Sequence, residues 1–271
     1  MTSLLPVQLE RVAVGTQRLA YERRPPVGEP SGEPIVLLHP WFGCTRFWDR
    51  TVEAIPERET FVVDLYSLGA QPGWEEFAAP PALSRAIEHF ANVLALEKFC
   101  LVGNSMGGIV AQELAARLNG RISRLLLIGT GARTAGVQAE WREAIKAWVA
   151  GAADRGFSER MVAALLARRP ADPDEFTRFV DAVDAANKLF MGAVLGAAFS
   201  LDLRPMLPKI TAPTLVVRGT FDAARTRQHV AELLEGIPDS RAHEIANAGH
   251  SPQVDSPQAF CPVARDFLTR G

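Results

Sequence analysis

The chain has 271 residues, 48% hydrophobic and 22% charged, with 29 basic against 31 acidic side chains and a formal net charge of −2. A chain of this length can bury about three quarters of its unfolded surface without a disulfide or metal staple, and balanced charge with no basic run gives no electrostatic footing for a nucleic-acid or membrane partner. Cys44, Cys100 and Cys261 are odd in number, far apart and without a CxxC pair, so neither a disulfide framework nor a zinc site is expected, and no cofactor is called for.

The chain opens MTSLLPVQLE, which has no basic leader and no apolar run of signal-peptide length. No later stretch approaches the roughly 20 apolar residues of a membrane span, and the most apolar one, 189–199, carries Gly192 and Gly196. The expectation is a cytoplasmic protein. Residues 8–14 and 18–23 alternate in polarity and read as an antiparallel edge. A Pro/Gly-rich turn follows, then 34–39 with the run IVLLH. That run and 60–65, 99–104 and 124–129 are almost continuously apolar, as strands buried on both faces are. Between them lie helix-period segments, the order of a parallel sheet covered by helices.

From 134 to about 203 only helical signals occur, broken at Gly151, Gly156 and Pro170 to Pro173. The alternation resumes with a strand at 214–219, a helix at 226–234, a strand at 242–246 and a closing helix at 257–269. The fold class is therefore α/β: a mostly parallel sheet with helices on both faces. Residues 1–133 and 206–271 form the core, and 134–205 form a helical insertion that reads as a lid.

The sharpest motif is Gly103-Asn104-Ser105-Met106-Gly107-Gly108. It fits G-x-S-x-G between a buried strand and a helix, the context of a nucleophile elbow. A tight strand-to-helix turn pushes Ser105 out of the sheet, and glycines at 103 and 107 remove Cβ atoms where strand and helix converge. The turn also leaves the Met106 N–H at a helix N-terminus, unpaired and favourable to developing negative charge.

Serine needs a base. Of five histidines, His89 and His229 fall in helical patterns, His243 in a short strand, and His39 at a strand end where it braces a loop. His250 lies in Asn247-Ala248-Gly249-His250, between the last strand and last helix, where open α/β sheets place active groups. Asp222, directly after 214–219, can accept the imidazole N–H and fix its tautomer; Asp202 and Asp255 are its rivals. The order Ser105, Asp222, His250 is that of α/β-hydrolases.

On LLHPWFG (37–43), GNSMGG (103–108), GTFD (219–222) and AGH (248–250), the chain resembles the α/β-hydrolase superfamily over nearly its whole length, most closely the branch of esterases, lactonases and meta-cleavage product hydrolases. The resemblance implies the α/β-hydrolase fold, a lid over Ser105 and a small-molecule substrate between lid and sheet. It also implies a second oxyanion donor after IVLLH. Relatives usually carry His-Gly there, but His39-Pro40 stands here, and Pro40 has no N–H to give. The role carries to Trp41, paired with Met106. Ser251 replaces the aromatic residue that meta-cleavage hydrolases carry after the catalytic histidine, and the opening loop is poorer in glycine. Ester or lactone hydrolysis is thus favoured over carbon–carbon hydrolysis or acyl transfer, and a non-catalytic binding protein ranks below these. Ser105 argues against the dehalogenases, which use an aspartate. The insertion carries Trp141, Trp148, Phe157, Met161, Leu165, Phe176, Phe179, Leu189, Phe190, Met191 and Phe199, most of them needed for packing. Phe42, Met191 and Phe199 are the candidate substrate contacts for a largely apolar ligand, and Arg168 and Arg169 are either solvated or a match for a substrate carboxylate.

Overall fold

Four apolar runs become the middle of one eight-stranded sheet. In this computed structural model, residues 9–134, 139–151 and 154–270 are described, apart from the side chains of 139–141. The strands are β1 (Leu9–Val14), β2 (Gln17–Arg24), β3 (Ile35–Leu38), β4 (Thr60–Asp64), β5 (Phe99–Asn104), β6 (Ile122–Ile128), β7 (Thr214–Gly219) and β8 (Ser240–Ile245). They lie in the order β1-β2-β4-β3-β5-β6-β7-β8. The β1–β2 and β2–β4 pairs are antiparallel and the rest are parallel, so the expected antiparallel edge joins a parallel sheet. Gln8, expected in the first strand, lies outside the described residues.

The helices in chain order are α1 (Asp49–Glu53), α2 (Pro80–Val93), α3 (Met106–Arg117), α4 (Ala139–Val149), α5 (Arg155–Ala164), α6 (Pro173–Ala185), α7 (Lys188–Ala198), α8 (Arg227–Gly236), α9 (Pro252–Asp255) and α10 (Pro257–Thr269). Successive strand residues point to opposite faces, and the core divides accordingly. Val36, Leu38, Leu101 and Leu127 pack with α2, α3 and α8, whereas Ile35, Leu37, Val102 and Ile128 pack with Phe260, Ala264 and Phe267 of α10. Unbroken apolarity in the central strands is thus two alternating patterns superposed. β8 is an edge strand with four exposed residues in a row, which is why its sequence reads as polar.

Helices α4 to α7 are inserted between β6 and β7. Arg133 and Asp202 form an isolated antiparallel bridge at the base of this insertion. Beside it, the Leu203 N–H donates to the Ala132 carbonyl at 2.8 Å, and the Thr134 hydroxyl donates to the Ala198 carbonyl. Gly156 does not break a helix as expected. It sits in the first turn of α5, where backbone N–H groups have no intrahelical partner to lose. Asn187 caps α7 by accepting from the Leu189 and Phe190 N–H groups at 3.0 and 3.2 Å. Trp148, Phe157, Met161, Phe176, Phe179, Phe190 and Met191 are buried in one cluster with Trp41, Phe42 and Tyr66, but Leu189 is 57% exposed and lies outside that cluster. The Trp141 side chain lies outside those described. Among the described residues no helix is long and apolar enough to cross a membrane.

The tightest junction lies where α3 leaves the sheet. A Cβ on Gly103 would stand 2.3 Å from the Gly107 carbonyl oxygen, and one on Gly107 would stand 2.3 Å from that of Leu38. Gly107→Ala is therefore expected to cost at least about 1–3 kcal/mol, as overpacking against backbone does; urea denaturation of the purified variant reads the loss directly.

Candidate active site

Ser105 follows β5 and precedes α3 with φ 53° and ψ −112°, a left-handed conformation rare for a residue with a side chain. Its main chain is held on both sides: the Ser105 N–H donates to the Ile128 carbonyl at 2.8 Å, and the Thr130 hydroxyl donates to the Ser105 carbonyl at 2.9 Å. The turn is the elbow that the motif predicts, with the strain carried by the serine.

Asp222 and His250 meet directly. His250 Nδ1 lies 2.9 Å from Asp222 Oδ2, and both side chains are buried. The other carboxylate oxygen accepts from the Ala224 and Arg225 N–H groups, each at 2.9 Å. Burial pushes the Asp222 carboxyl up, but the charge and hydrogen bond of His250 and these two backbone donors outweigh it, so the net direction is down. Arg218 holds the same loop from behind, donating to the carbonyls of Asp222 and Arg225 at 3.1 and 2.6 Å. The His250 loop leans across the sheet ends. The Phe221 N–H donates to the Ala248 carbonyl at 2.9 Å, and a Cβ on Gly129, whose φ is 50°, would strike the His250 carbonyl at 2.4 Å. The loop thereby reaches β5, where Asn104 Nδ2 donates to the His250 carbonyl at 3.1 Å. Ser105 Oγ itself draws no hydrogen bond from the described residues, a spacing that catalytic pairs often close only with substrate bound.

The loop after β3 is a closed turn. The Gly43 N–H donates to the Pro40 carbonyl at 3.0 Å, and Phe42 takes φ 62°, the third turn position where glycine is usual. His39, fully buried, accepts the Leu65 N–H at Nε2 (3.0 Å) and donates from Nδ1 to the Pro40 carbonyl (2.9 Å), so it braces the loop. Trp41 Nε1 donates to the Met191 carbonyl at 3.0 Å, and the Phe42 ring packs edge-on against Trp148 and Phe157. Tyr66 lies edge-on to Trp41; burial pushes its hydroxyl well up. A cleft of about 470 Å³ opens beside this loop, lined by Cys44, Tyr66 and Gly69 on one side and by Ala182, Ala186 and Asn187 on the other; Ser105 does not line it. The N–H groups of Trp41 and Met106 enter no backbone hydrogen bond among the described residues.

The rivals and the paired arginines have other tasks. Asp202 binds Arg204, with Nη2 to Oδ2 at 2.6 Å, and that pairing holds it down at about 2. Asp255 makes no hydrogen bond to the His250 ring among the described residues. It accepts the Gly249 and Ala167 N–H groups at 2.8 and 2.6 Å, and burial raises its carboxyl against them. Arg168 is exposed, as a solvated arginine is, and it also donates to the Asp255 carbonyl and the Ser256 hydroxyl at 2.8 and 3.2 Å. Arg169 pairs with Glu159 at 2.9 Å and lies over Phe176. Of the three candidate substrate contacts, Phe42 and Met191 are buried in the apolar cluster, and Phe199 is half-buried beneath the Arg142 guanidinium. Among the described residues no three His, Cys, Asp or Glu side chains gather as a metal-holding group.

Sequence reading missed Asn104 and Gln253 and treated Ser251 only as a departure from an aromatic. All three are fully buried. Asn104 Oδ1 accepts from the Ser251 hydroxyl at 2.7 Å and from Gln253 Nε2 at 2.8 Å. The available signal was Asn104 itself, a polar residue ending an otherwise apolar strand.

The sequence model of the Alpha/beta hydrolase family matches residues 35–263. Over 247 residues the chain is 26% identical to a pimeloyl-[acyl-carrier protein] methyl ester esterase of Vibrio vulnificus, covering 87% of this chain and 94% of that one. It superposes on the crystal structure of a hydrolase from Pseudomonas aeruginosa PA01 with TM-score 0.82 and 27% identity, covering 97% of this chain and 98% of that chain. It also superposes on an enol-lactonase from Burkholderia xenovorans LB400 with TM-score 0.81 and 23% identity, over 96% of this chain and 100% of the other.

Because the Asp222 carboxyl is held down in the folded chain, its stabilising contribution is complete above the ordinary aspartate value near 4 and disappears as pH falls through the lowered one. The stability gap between the native protein and Asp222→Asn should therefore be constant from about pH 6 to 4.5 and close below about pH 4. Denaturant melts across that range measure it.

Proposed function

The chain belongs to the alpha/beta hydrolase family, and from that premise we propose that it is a serine hydrolase that cleaves a carboxylic ester or lactone of a small, largely apolar substrate through an acyl-enzyme. The observation that carries this reading is the buried His250–Asp222 pair folded across the sheet ends toward a serine held at φ 53°. Ser105 attacks the carbonyl while His250 takes its proton. Asp222 holds the imidazole in the tautomer with hydrogen on Nδ1 and stabilises the imidazolium. The Met106 and Trp41 N–H groups receive the oxyanion, a role in which one donor commonly contributes about 3–4 kcal/mol to lowering the barrier. The alcohol leaves with the proton from His250, and water, deprotonated by His250, releases the acid.

Residues 134–205 act as a lid that excludes water over the acyl-enzyme. Their anchorage on the oxyanion loop, through Trp41 to Met191 and Phe42 to Trp148 and Phe157, fits that role. Phe42, Met191 and Phe199 supply apolar surface toward the substrate. The curated relative named as a methyl ester esterase, at 26% identity, supports the ester class. Ser251, a buried hydroxyl in place of an aromatic ring, weighs against carbon–carbon cleavage.

Native protein should release p-nitrophenolate from short- and medium-chain p-nitrophenyl esters, and Ser105→Ala should lower kcat by about 10⁴-fold or more. Met106→Ala, which keeps the backbone N–H, should retain most of the rate. Equal turnover by native protein and Ser105→Ala would contradict the assignment.

A further inference from the structure

Asn104 precedes Ser105, and Ser251 follows His250, so the residues flanking the proposed nucleophile and base meet each other in the interior. We propose that the Asn104 side-chain amide sets the distance between Ser105 and His250, with Ser251 and Gln253 fixing that amide in its working orientation. This rests on the serine-hydrolase reading above and names positioning residues for it; none of the three touches a reacting atom.

The amide is saturated. Its nitrogen donates to the Ile128 carbonyl at 3.0 Å and to the His250 carbonyl at 3.1 Å. Its oxygen accepts from the Ser251 hydroxyl at 2.7 Å and from Gln253 Nε2 at 2.8 Å. Two N–H groups and two lone pairs are all that a carboxamide has, and all four are engaged. Orientation follows from the donors: with the amide reversed, its oxygen would face two carbonyl oxygens and its N–H groups would face a hydroxyl and an amide nitrogen. Asn104, Ser251 and Gln253 are each fully buried, so water cannot replace a lost partner and each bond keeps its full value. The Ser105 backbone is meanwhile tied to β6 through the Ile128 carbonyl. The same carbonyl therefore takes both the Ser105 N–H and the Asn104 amide, and the His250 backbone is registered against that point by one further hydrogen bond. Nothing else described ties the His250 carbonyl to the nucleophile strand. Asp222 orients the ring; Asn104 sets where the ring is carried.

The test is steady-state kinetics on a p-nitrophenyl ester together with the downfield proton resonance of the His250–Asp222 hydrogen bond. Asn104→Ala should lower kcat about 100-fold, the scale of an ångström-sized misplacement, leave KM within about 3-fold, and retain the downfield resonance. Ser251→Ala, which removes one of two orienting donors and is the milder change, should lower kcat about 10-fold with KM unchanged, and it decides the matter if Asn104→Ala does not fold. A folded variant that keeps native kcat overturns the proposal. So does loss of the downfield resonance together with kcat, which would make the amide a general support of the Asp222–His250 pair. Native protein that turns over no ester overturns the hydrolase reading and this assignment with it, an outcome distinct from the others because they require an active native enzyme.

Discussion

The candidate site depends on one crossing. Ser105 leaves β5 and His250 leaves β8, three strand spacings away, about 14 Å across the sheet. An imidazole cannot span that distance, so the backbone must carry it over the ends of β7 and β6. The path is open because β6 is followed by Gly129, with φ 50°, where any Cβ would strike the His250 carbonyl. It is held at its far end by the Asn104 amide. Asp222, in the short loop after the intervening β7, then meets the imidazole at 2.9 Å.

Ser105 and Phe42, like Asn247 in the histidine loop, hold left-handed backbone at this end of the sheet. Each such conformation costs on the order of 1–2 kcal/mol, and each is retained by neighbours that have no alternative place. Ser105 is clasped by Ile128 and Thr130 and backed by a helix packed to backbone contact against Leu38. Phe42 is kept by its ring, which packs edge-on against the stacked Trp148 and Phe157 rings. The loop before α1 and the inserted helices are consequently one packed unit. The insertion meets the histidine loop as well: Ser251 donates its N–H to the Leu165 carbonyl at 2.9 Å, and Asp255 gathers the N–H groups of Gly249 and Ala167. A movement of the insertion would therefore be felt at both loops that flank Ser105.

What was legible beforehand follows from the range of the forces involved. Strands β3 to β7 announce themselves because burial on both faces demands apolar side chains at every position, and the elbow because a strand-to-helix turn at backbone contact admits few residues beyond glycine. β8, with four exposed residues in a row, is still legible to within two residues although its pattern is polar. The bonds that join Asn104 to Ser251 and Gln253 span 147 and 149 positions, and no local periodicity encodes such a pairing. Ser251 was visible only as an unusual residue, and its meaning lies in its partner. Arg168 is solvent-facing as its position near a helix end suggests, but its acceptors, Asp255 and Ser256, lie far along the chain and leave no local signal. Gly156 reads as a break by residue type alone, although a glycine in a first turn loses no helical hydrogen bond.

The central claim is that Ser105 is a nucleophile made reactive by its surroundings. Treating the native protein with a fluorophosphonate, which reacts with activated serine hydroxyls, and mapping the adduct by peptide mass spectrometry tests that claim without any knowledge of the substrate. A single adduct per chain, on the peptide containing Ser105, is the expected result. An unmodified Ser105 peptide, or an adduct on another of the chain's serines, would contradict it.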